Sequence, residues 1–157
     1  SLGVMSKIYG LAGLRIGWVA TQNRKILELM ASLKDYTTIC NSAPSEYLAE
    51  LALRHGEHLV GRNLQIIQDN LSLLDGFFSR YGSRLSWVRP QAGSIAFPRL
   101  LDEGENVETF CNDLVTETGV LLLPGKLFDH PGNHFRVGFG RKNMPEGLKR
   151  LEAYLDG

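Results

Sequence analysis

Apolar residues recur at helical spacing along three stretches of the first half of the chain. The first predicted helix runs over 23–34, with Asn23 as its N-cap. Its apolar positions fall on one face of that helix: Ile26, Leu27, Met30 and Leu33. Ser45 is predicted to cap a second helix over 46–54, and a long amphipathic helix follows over 57–81. Helices therefore dominate this part of the sequence.

The stretch before these helices is apolar and rich in glycine. Its segment YGLAG holds two glycines, which requires the chain to turn near Gly10–Gly13. The next segment, LRIGWVAT, is predicted to form a short buried strand, with Gly17 where another part of the chain lies close to the backbone. A loop is predicted over 35–45, because the segment DYTTICNSAPS has no helical period.

The second half of the chain combines short strands with two further helices. The segments that indicate strands are LSWVRP, GSIAFPRL, GVLLLPG and HFRVGFG. One helix is predicted over 106–118 and a last one over 145–155, where Pro145 takes the favoured first turn. The predicted fold class is α/β, with a small terminal α+β domain built on an open sheet. The predicted domains are 1–84, the end of a larger domain with its connecting helices, and 85–157, the small terminal domain.

Composition narrows the classes of protein to which the chain can belong. Its 157 residues are 43% hydrophobic and 22% charged, which is typical of a soluble globular protein with a real core. The 17 basic and 17 acidic side chains balance, so charge gives no reason to expect nucleic acid or an anionic membrane as a partner. No apolar run approaches the roughly 20 residues of a transmembrane helix, and the first residues lack the pattern of a signal peptide.

Cysteine and histidine positions give no indication of a metal site. Cys40 and Cys111 lie far apart without metal-ligand spacing, and they are expected to be buried free thiols in a reducing cytoplasm. His55 and His58 share a predicted helical region, but no cysteine or carboxylate cluster accompanies them, so they are expected to be solvated. We therefore expect a cytoplasmic protein and no metal.

Two cations stand in the apolar, glycine-rich stretch GVMSKIYGLAGLRIGW. Apolar surroundings disfavour the charged form of a lysine, and a free amine at Lys7 would form an imine with an aldehyde. Arg15, beyond the glycine turn, stays charged and can hold a phosphate with a forked pair of hydrogen bonds. An aldehyde with a phosphate arm needs both groups. Alternatively, Lys7 is solvated with its stem along apolar surface, and Arg15 forms a surface ion pair.

A third cation, Arg136, stands inside the apolar strand segment NHFRVGFG. A buried arginine needs an anion, because its charge is costly to remove from water unless it is paired. That anion is either a ligand in a cleft or, for a strand at a sheet edge, a surface acid of the same chain.

The segment SKIYGLAGLRIG, residues 6–17, resembles the lysine signature of class I/II aminotransferases, the fold type I group of pyridoxal-phosphate enzymes. The resemblance implies that Lys7 is the Schiff-base lysine and that Arg15 binds the cofactor phosphate. The family usually has serine or glycine three residues before the lysine, whereas this chain has Val4, which cannot donate a hydrogen bond. Either Ser6 or the backbone is then expected to make that contact with the phosphate.

Segments in the second half resemble the same family. The strand around Arg136 resembles the family strand whose arginine holds the α-carboxylate of the substrate. GVLLLPGKLF resembles the family pattern Gly-Val-x-x-x-Pro-Gly-x-x-Phe, and RPQAGSIAFPRL resembles a strand that lines the substrate cleft. Ser94 replaces a usual glycine in that strand, which leaves the shape of the pocket open. The resemblance spans essentially the whole chain.

The resemblance implies a homodimeric enzyme that moves an amino group between an amino acid and a 2-oxo acid with pyridoxal 5′-phosphate. Family members hold further cofactor-binding residues upstream of the lysine, so the chain is expected to be the C-terminal part of an aminotransferase and inactive alone. Domain 1–84 would be the tail of the cofactor-binding large domain. Other reactions on this scaffold stay open: a lyase, a decarboxylase, an acyltransferase or a cyclase. So do the aminotransferase-like sensor domain of a transcription regulator and a relic that binds an inorganic anion.

Overall fold

A computed structural model describes residues 1–102 and 104–157. The described helices are α1 (Arg24–Thr37), α2 (Ala43–Arg54), α3 (Gly56–Arg80), α4 (Val107–Thr118) and α5 (Met144–Asp156). The described strands are β1 (Leu2–Val4), β2 (Gly17–Val19), β3 (Leu85–Ser86), β4 (Ile95–Ala96), β5 (Arg99–Leu100), β6 (Leu123–Pro124) and β7 (Phe135–Gly138). Short 3-10 helices occupy Ala12–Leu14 and Gly125–Phe128. This mixture of helices and small sheets confirms the predicted α/β class with an α+β terminal part.

The described chain divides into two compact units, Ser1–Leu64 and Gln65–Gly157. The division falls within α3, so this helix contributes residues to both units. The domains 1–84 and 85–157 stay a prediction of the sequence.

Strands β1 and β2 form an antiparallel hairpin in the first unit, with Val4 opposite Gly17. A Cβ atom at Gly17 would lie 2.9 Å from the carbonyl oxygen of Gly3, which confirms the predicted close approach at Gly17. The prediction that this strand is buried is wrong, because all three residues of β2 are exposed, Trp18 to 40%. The described sheet has two strands, so no further strand covers the outer edge of β2.

The first unit has a small core centred on Met5, which is fully buried. Ala49 and Ala52 of α2 are buried with it. Half-buried apolar side chains pack around these three residues: Tyr9, Leu11, Leu14, Ile16 and Leu59. Small alanine side chains let α2 come close to the segment after β1. This packing fixes the position of Met5, the first residue of that segment.

Helix α1 confirms the predicted N-cap, since the Asn23 side chain accepts a hydrogen bond from the backbone N–H of Ile26 at 3.2 Å. The helix continues to Thr37, past its predicted end and into the stretch predicted as a loop. None of its residues is buried, although its apolar positions share one face. Leu27 is 54% exposed and Leu33 63%. The periodicity therefore predicts the helix correctly, but the described chain does not cover its apolar face.

Helix α2 begins earlier than predicted. Its N-cap is Ser42 rather than Ser45, and Pro44 lies in the first turn. Proline suits a first turn because the N–H that it lacks would have no partner there, so Pro44 starts the helix instead of ending the loop. Helix α3 follows over Gly56–Arg80 and confirms the long helix predicted over 57–81.

The cysteines differ from each other. Cys111 is buried as predicted, and burial raises the pKa of its thiol to about 11. Cys40 is exposed, contrary to the prediction, because it lies in the short connection between α1 and α2, outside the core of the first unit. His55 and His58 are exposed, as predicted.

The core of the second unit is aromatic and aliphatic. Phe110, Phe135 and Phe139 are fully buried. The other buried residues of this core are Leu74, Phe77, Phe78, Tyr81, Leu85, Ala96, Leu100, Val107, Cys111, Leu114, Leu122, Leu151 and Leu155. Strands β4, β7 and β6 form an antiparallel sheet in that order, with β7 in the middle, and β3 pairs with β5. The middle strand of the three is thus the one that holds Arg136.

The helices predicted over 106–118 and 145–155 are confirmed as α4 and α5. The Asn106 side chain caps α4 by accepting a hydrogen bond from the N–H of Glu108 at 2.7 Å. Pro145 lies in the first turn of α5, as predicted.

Asn70 of α3 is the one buried polar residue among those that the structure describes, with 3% exposure. Its amide nitrogen donates to the backbone oxygens of Phe139, at 2.9 Å, and Arg141, at 2.8 Å. Both carbonyls belong to the segment between β7 and α5. The buried amide thus bonds to one buried and one partly buried carbonyl and holds this segment against α3.

We expect Asn70→Ala to lower the free energy of unfolding by about 1–3 kcal/mol, because it leaves the buried Phe139 carbonyl without its donor and removes one of the two donors to the Arg141 carbonyl. Urea denaturation followed by circular dichroism measures this change. Asn112→Ala, at an exposed position in α4, is the matched control and should change stability by less than about 0.5 kcal/mol. Equal losses in the two variants would contradict the structural role of Asn70.

Candidate functional site

The loop that contains Lys7 is fixed by backbone hydrogen bonds. The N–H of Met5 donates to the oxygen of Ile16 at 3.0 Å, and the N–H of Leu11 donates to the oxygen of Met5 at 2.9 Å. The Lys7 carbonyl accepts from the N–H of Gly10 at 3.0 Å and closes a turn. Gly10 has a φ of +70°, a conformation that glycine adopts readily. The turn predicted near Gly10–Gly13 is confirmed.

A side chain from α3 ties down the same loop. The Asn63 amide nitrogen donates to the oxygen of Ile8 at 2.9 Å. A Cβ atom at Gly10 would lie 3.1 Å from this nitrogen, so the lack of a side chain at Gly10 leaves space for the Asn63 amide. The backbone on both sides of Lys7 is therefore held, by the burial of Met5 before it and by Asn63 after it.

The Lys7 side chain is exposed, so the apolar surroundings expected from the sequence are not found in the described part of this chain. Among the described residues, no carboxylate lies within 4.0 Å of the Lys7 amine or of the Arg15 guanidinium. The described chain thus offers Arg15 no acidic partner for the surface ion pair that the alternative requires. The alternative of a solvated Lys7 agrees with its exposure.

Arg15 has a left-handed backbone conformation, with a φ of 54°. Such a conformation is uncommon for a residue with a side chain and tends to persist where surrounding structure imposes it. Arg15 follows the 3-10 helix Ala12–Leu14, and its Nη1 donates to the oxygen of Ala12 at 3.1 Å. This bond folds the guanidinium back over the glycine turn, and an arginine has further N–H donors to offer an anion.

Pyridoxal phosphate needs an amine for its aldehyde and donors for its phosphate, and the residues of this loop fit both requirements. The exposed Lys7 amine is accessible, and Arg15 is a cation without a carboxylate partner among the described residues. Ser6, half-buried next to Lys7, has a hydroxyl that can donate to a phosphate oxygen. Val4 belongs to β1 opposite Gly17 and has no side-chain donor.

Arg136 lies in β7, opposite Leu123 of β6. Its neighbour Phe135 is fully buried, so alternation along the strand places the half-buried Arg136 side chain on the other face of the sheet. The guanidinium carbon lies 5.6 Å from the centroid of the Phe128 ring. No carboxylate of the described residues lies within 4.0 Å of this guanidinium. The surface-acid alternative therefore has no support in the described chain.

A pair of histidines lies near Arg136 on the same segment. His130 Nε2 and His134 Nδ1 are 2.9 Å apart, and Phe97 stacks on the His134 ring with centroids 5.2 Å apart. Burial, and after it the charges of His130 and Arg99, lowers the pKa of His134. The pair thus shares one hydrogen bond most readily when His134 is neutral.

Ser94, which replaces a usual family glycine, meets a glycine on the neighbouring segment. A Cβ atom at Gly140 would lie 3.0 Å from the Cβ of Ser94, so Gly140 leaves the room that Ser94 uses. The Ser94 carbonyl accepts from the N–H of Phe139 at 2.9 Å. The departure at Ser94 is thus accommodated without breaking the pairing of β4 with β7.

Comparison with known families identifies the chain. The sequence profile of the family "Aminotransferase class I and II" matches residues 1–151. The chain belongs to this family. The resemblance inferred from the segments around Lys7 and Arg136 is thereby confirmed at the level of the family, whereas the roles of individual residues stay predictions.

Among curated relatives of this class I/II aminotransferase chain, capreomycidine synthase of Streptomyces vinaceus is 30% identical over 157 residues, which cover 99% of the chain and 40% of that protein. An aspartate aminotransferase of Thermotoga maritima is 25% identical over 153 residues, 96% of the chain and 38% of that protein. The chain spans about 40% of the length of the curated relatives that it matches.

Two solved structures have the same fold over 99% of the chain. A PLP-dependent aminotransferase from Streptococcus suis 89-1591 has a TM-score of 0.90 and 34% identity, with 41% of its own chain covered. The PLP-dependent cyclase OrfR has a TM-score of 0.89 and 34% identity, with 42% of its own chain covered.

None of the described helices combines the length and the apolar character needed to cross a membrane.

Sequence reasoning missed the surroundings of Arg136. The contact with Phe128 and the pairing of His130 with His134 were not predicted. The segment FDHPGNHFR contains a signal for the histidine pair, since its two histidines are separated by a proline and a glycine that favour a turn. No local signal reveals the contact between Phe128 and Arg136, because it depends on how the loop between β6 and β7 closes.

Proposed function

We propose that the chain is the C-terminal part of a pyridoxal-phosphate-dependent aminotransferase, which moves an amino group between an amino acid and a 2-oxo acid. The observation that supports this most strongly is the fixed loop of a class I/II aminotransferase chain with an accessible Lys7 amine and an Arg15 guanidinium that has no carboxylate partner among the described residues. The names of several relatives, among them aspartate aminotransferase, point to the same reaction.

Lys7 would hold pyridoxal phosphate through its Nζ as a Schiff base, with Arg15 and Ser6 binding the phosphate. When bound, the cofactor supplies an electron sink for the carbon that loses a proton. With the cofactor and an amino acid bound, the Lys7 Nζ would take the proton from Cα as a general base and would deliver it to the C4′ carbon of the cofactor as a general acid. The held backbone on both sides of Lys7 limits where that amine can move.

Arg136 would bind the α-carboxylate of the amino acid with two parallel N–H donors. A bidentate pair of this kind fixes the orientation of a planar carboxylate as well as attracting it. Fixing the carboxylate would in turn restrict the orientation of the Cα–H bond. The absence of a carboxylate near Arg136 among the described residues supports an external anion as its partner.

The enzyme is proposed to work as a longer polypeptide, as a homodimer, and in the cytoplasm, with 1–84 as the tail of its cofactor-binding domain and 85–157 as its small domain. The chain spans about 40% of its curated relatives, so residues from the rest of such a polypeptide would complete the site. The exposed apolar face of α1 supports a larger assembly, because an apolar stripe of this length is normally covered. The 157 residues alone are expected to be inactive.

A second candidate is a cyclising reaction with the same cofactor. It is favoured by the 34% identity with the cyclase OrfR, which equals the identity with the Streptococcus suis aminotransferase. Mass spectrometry of the products distinguishes the two reactions. A transaminase leaves a 2-oxo acid without the donor nitrogen, whereas a cyclase keeps that nitrogen in its product.

Lys7→Ala in the full-length enzyme is expected to lower transamination at least about 1,000-fold, because the variant loses both the attachment of the cofactor and the general base. Turnover is measured by following the 2-oxo acid formed from a panel of amino-acid donors. Lys149→Ala removes an exposed lysine of α5 and serves as the control with unchanged turnover. A Lys7→Ala enzyme that kept most of its rate would show that Lys7 is not the catalytic amine.

Arg136→Ala is expected to raise the KM for the amino acid about 100-fold with a smaller change in kcat, because a bidentate ion pair to the substrate is lost. The KM of Arg136→Lys should lie between that of the unsubstituted enzyme and that of Arg136→Ala, since a lysine keeps the charge but not the forked geometry. Initial rates over a range of donor concentrations give both constants. An unchanged dependence on donor concentration in Arg136→Ala would rule out the carboxylate role.

A further inference from the structure

The ring of Phe128 lies under the guanidinium of Arg136. The 5.6 Å between the guanidinium carbon and the ring centroid is within the range in which an aromatic face attracts a cation. No carboxylate of the described residues lies within 4.0 Å of the Arg136 guanidinium. The ring is therefore the specific contact that the described chain gives this cation.

Phe128 is itself held in place. It ends the 3-10 helix Gly125–Phe128, and the next residue, Asp129, closes that turn by donating its N–H to Lys126. The Phe97 ring meets the Phe128 ring edge to face, with centroids 6.3 Å apart. A Cβ atom at Gly125 would lie 3.2 Å from the Phe97 ring, so this glycine lets Phe97 pack against the turn.

Strand register places these groups on one side of the sheet. Ala96 pairs with Val137, so the next residue on each side, Phe97 and Arg136, are neighbours across the two strands. Phe97 also stacks on His134, which precedes Arg136 by two positions on the same face. The pairing of β4 with β7 thus places Phe97 and His134 on the side of the sheet that presents Arg136, and the 3-10 helix before β7 adds Phe128 to this aromatic platform.

We propose that Phe128 is a positioning residue that holds the Arg136 guanidinium ready for the α-carboxylate of the substrate. This rests on the function proposed above for Arg136. A carboxylate partner would occupy the N–H donors of the arginine and compete with the substrate. An aromatic face attracts the cation from one side and leaves all five N–H donors free. Phe97 acts behind Phe128 by keeping its ring in place.

The test uses Phe128→Leu in the full-length enzyme, since leucine keeps an apolar side chain and removes the ring. We expect the KM for the amino-acid donor to rise about threefold to tenfold with kcat changed less than about twofold. The rate with the decarboxylated donor, an amine without the α-carboxylate, should not change. Phe128→Tyr keeps the ring and should restore the KM of the unsubstituted enzyme.

A binding measurement gives a readout besides turnover. The 2-methyl analogue of the donor has no proton on Cα and does not react further, so calorimetry yields its Kd directly. Phe128→Leu should weaken this Kd by the same threefold to tenfold. Leu127→Ala, at a 66% exposed position of the same turn, is the control with unchanged constants.

The combined variant Phe128→Leu/Arg136→Ala separates the possible failures. If the ring acts through Arg136, Phe128→Leu has no further effect once Arg136 is alanine. A strong effect of Arg136→Ala with none from Phe128→Leu, or equal effects on the amino acid and the decarboxylated amine, overturns the positioning role alone. An Arg136→Ala enzyme with an unchanged KM overturns the proposed role of Arg136, and the positioning role with it.

Discussion

Burial of Met5 is the interaction on which the first unit depends. Its side chain is fully buried against alanines of α2, while its N–H and carbonyl bond to Ile16 and Leu11. The side chain of Met5 thus anchors the loop between β1 and β2 in the core, and its backbone bonds to two other residues of that loop. Lys7 follows Met5 by two positions, and its side chain is exposed. The same short segment therefore anchors the loop and presents the proposed catalytic amine.

In the second unit, too, one element both packs in the core and presents a cation, and that element is the strand β7. In β7 the buried face belongs to the aromatic core, and the other face presents Arg136 beside an aromatic platform. Asn70 fixes the segment after this strand by donating to the carbonyls of Phe139 and Arg141. Rigid backbone around a charged side chain reduces the entropy lost when an anion binds. Lys7 and Arg136 thus both belong to segments whose backbone is held by core packing or by hydrogen bonds.

Local signals in the sequence predicted the elements that local physics determines. The helical period and the Asn23 cap located α1, and Pro145 marked the first turn of α5. The glycines of YGLAG located the turn after Lys7. Burial was predicted less well, since β2 and Cys40 are exposed, because apolar content does not reveal which other segments cover a residue. The contact between Phe128 and Arg136 was out of reach for a related reason, since it depends on how the loop between β6 and β7 closes.

Trapping of the cofactor tests the central claim, that Lys7 is the amine that holds pyridoxal phosphate. The full-length enzyme would be mixed with pyridoxal phosphate and reduced with borohydride, and the mass gain located by peptide mapping, with Lys7→Arg treated in parallel. Our account predicts a label on the peptide that contains Lys7 and none at that position in the variant. A label spread over exposed lysines, or none on Lys7, would contradict it.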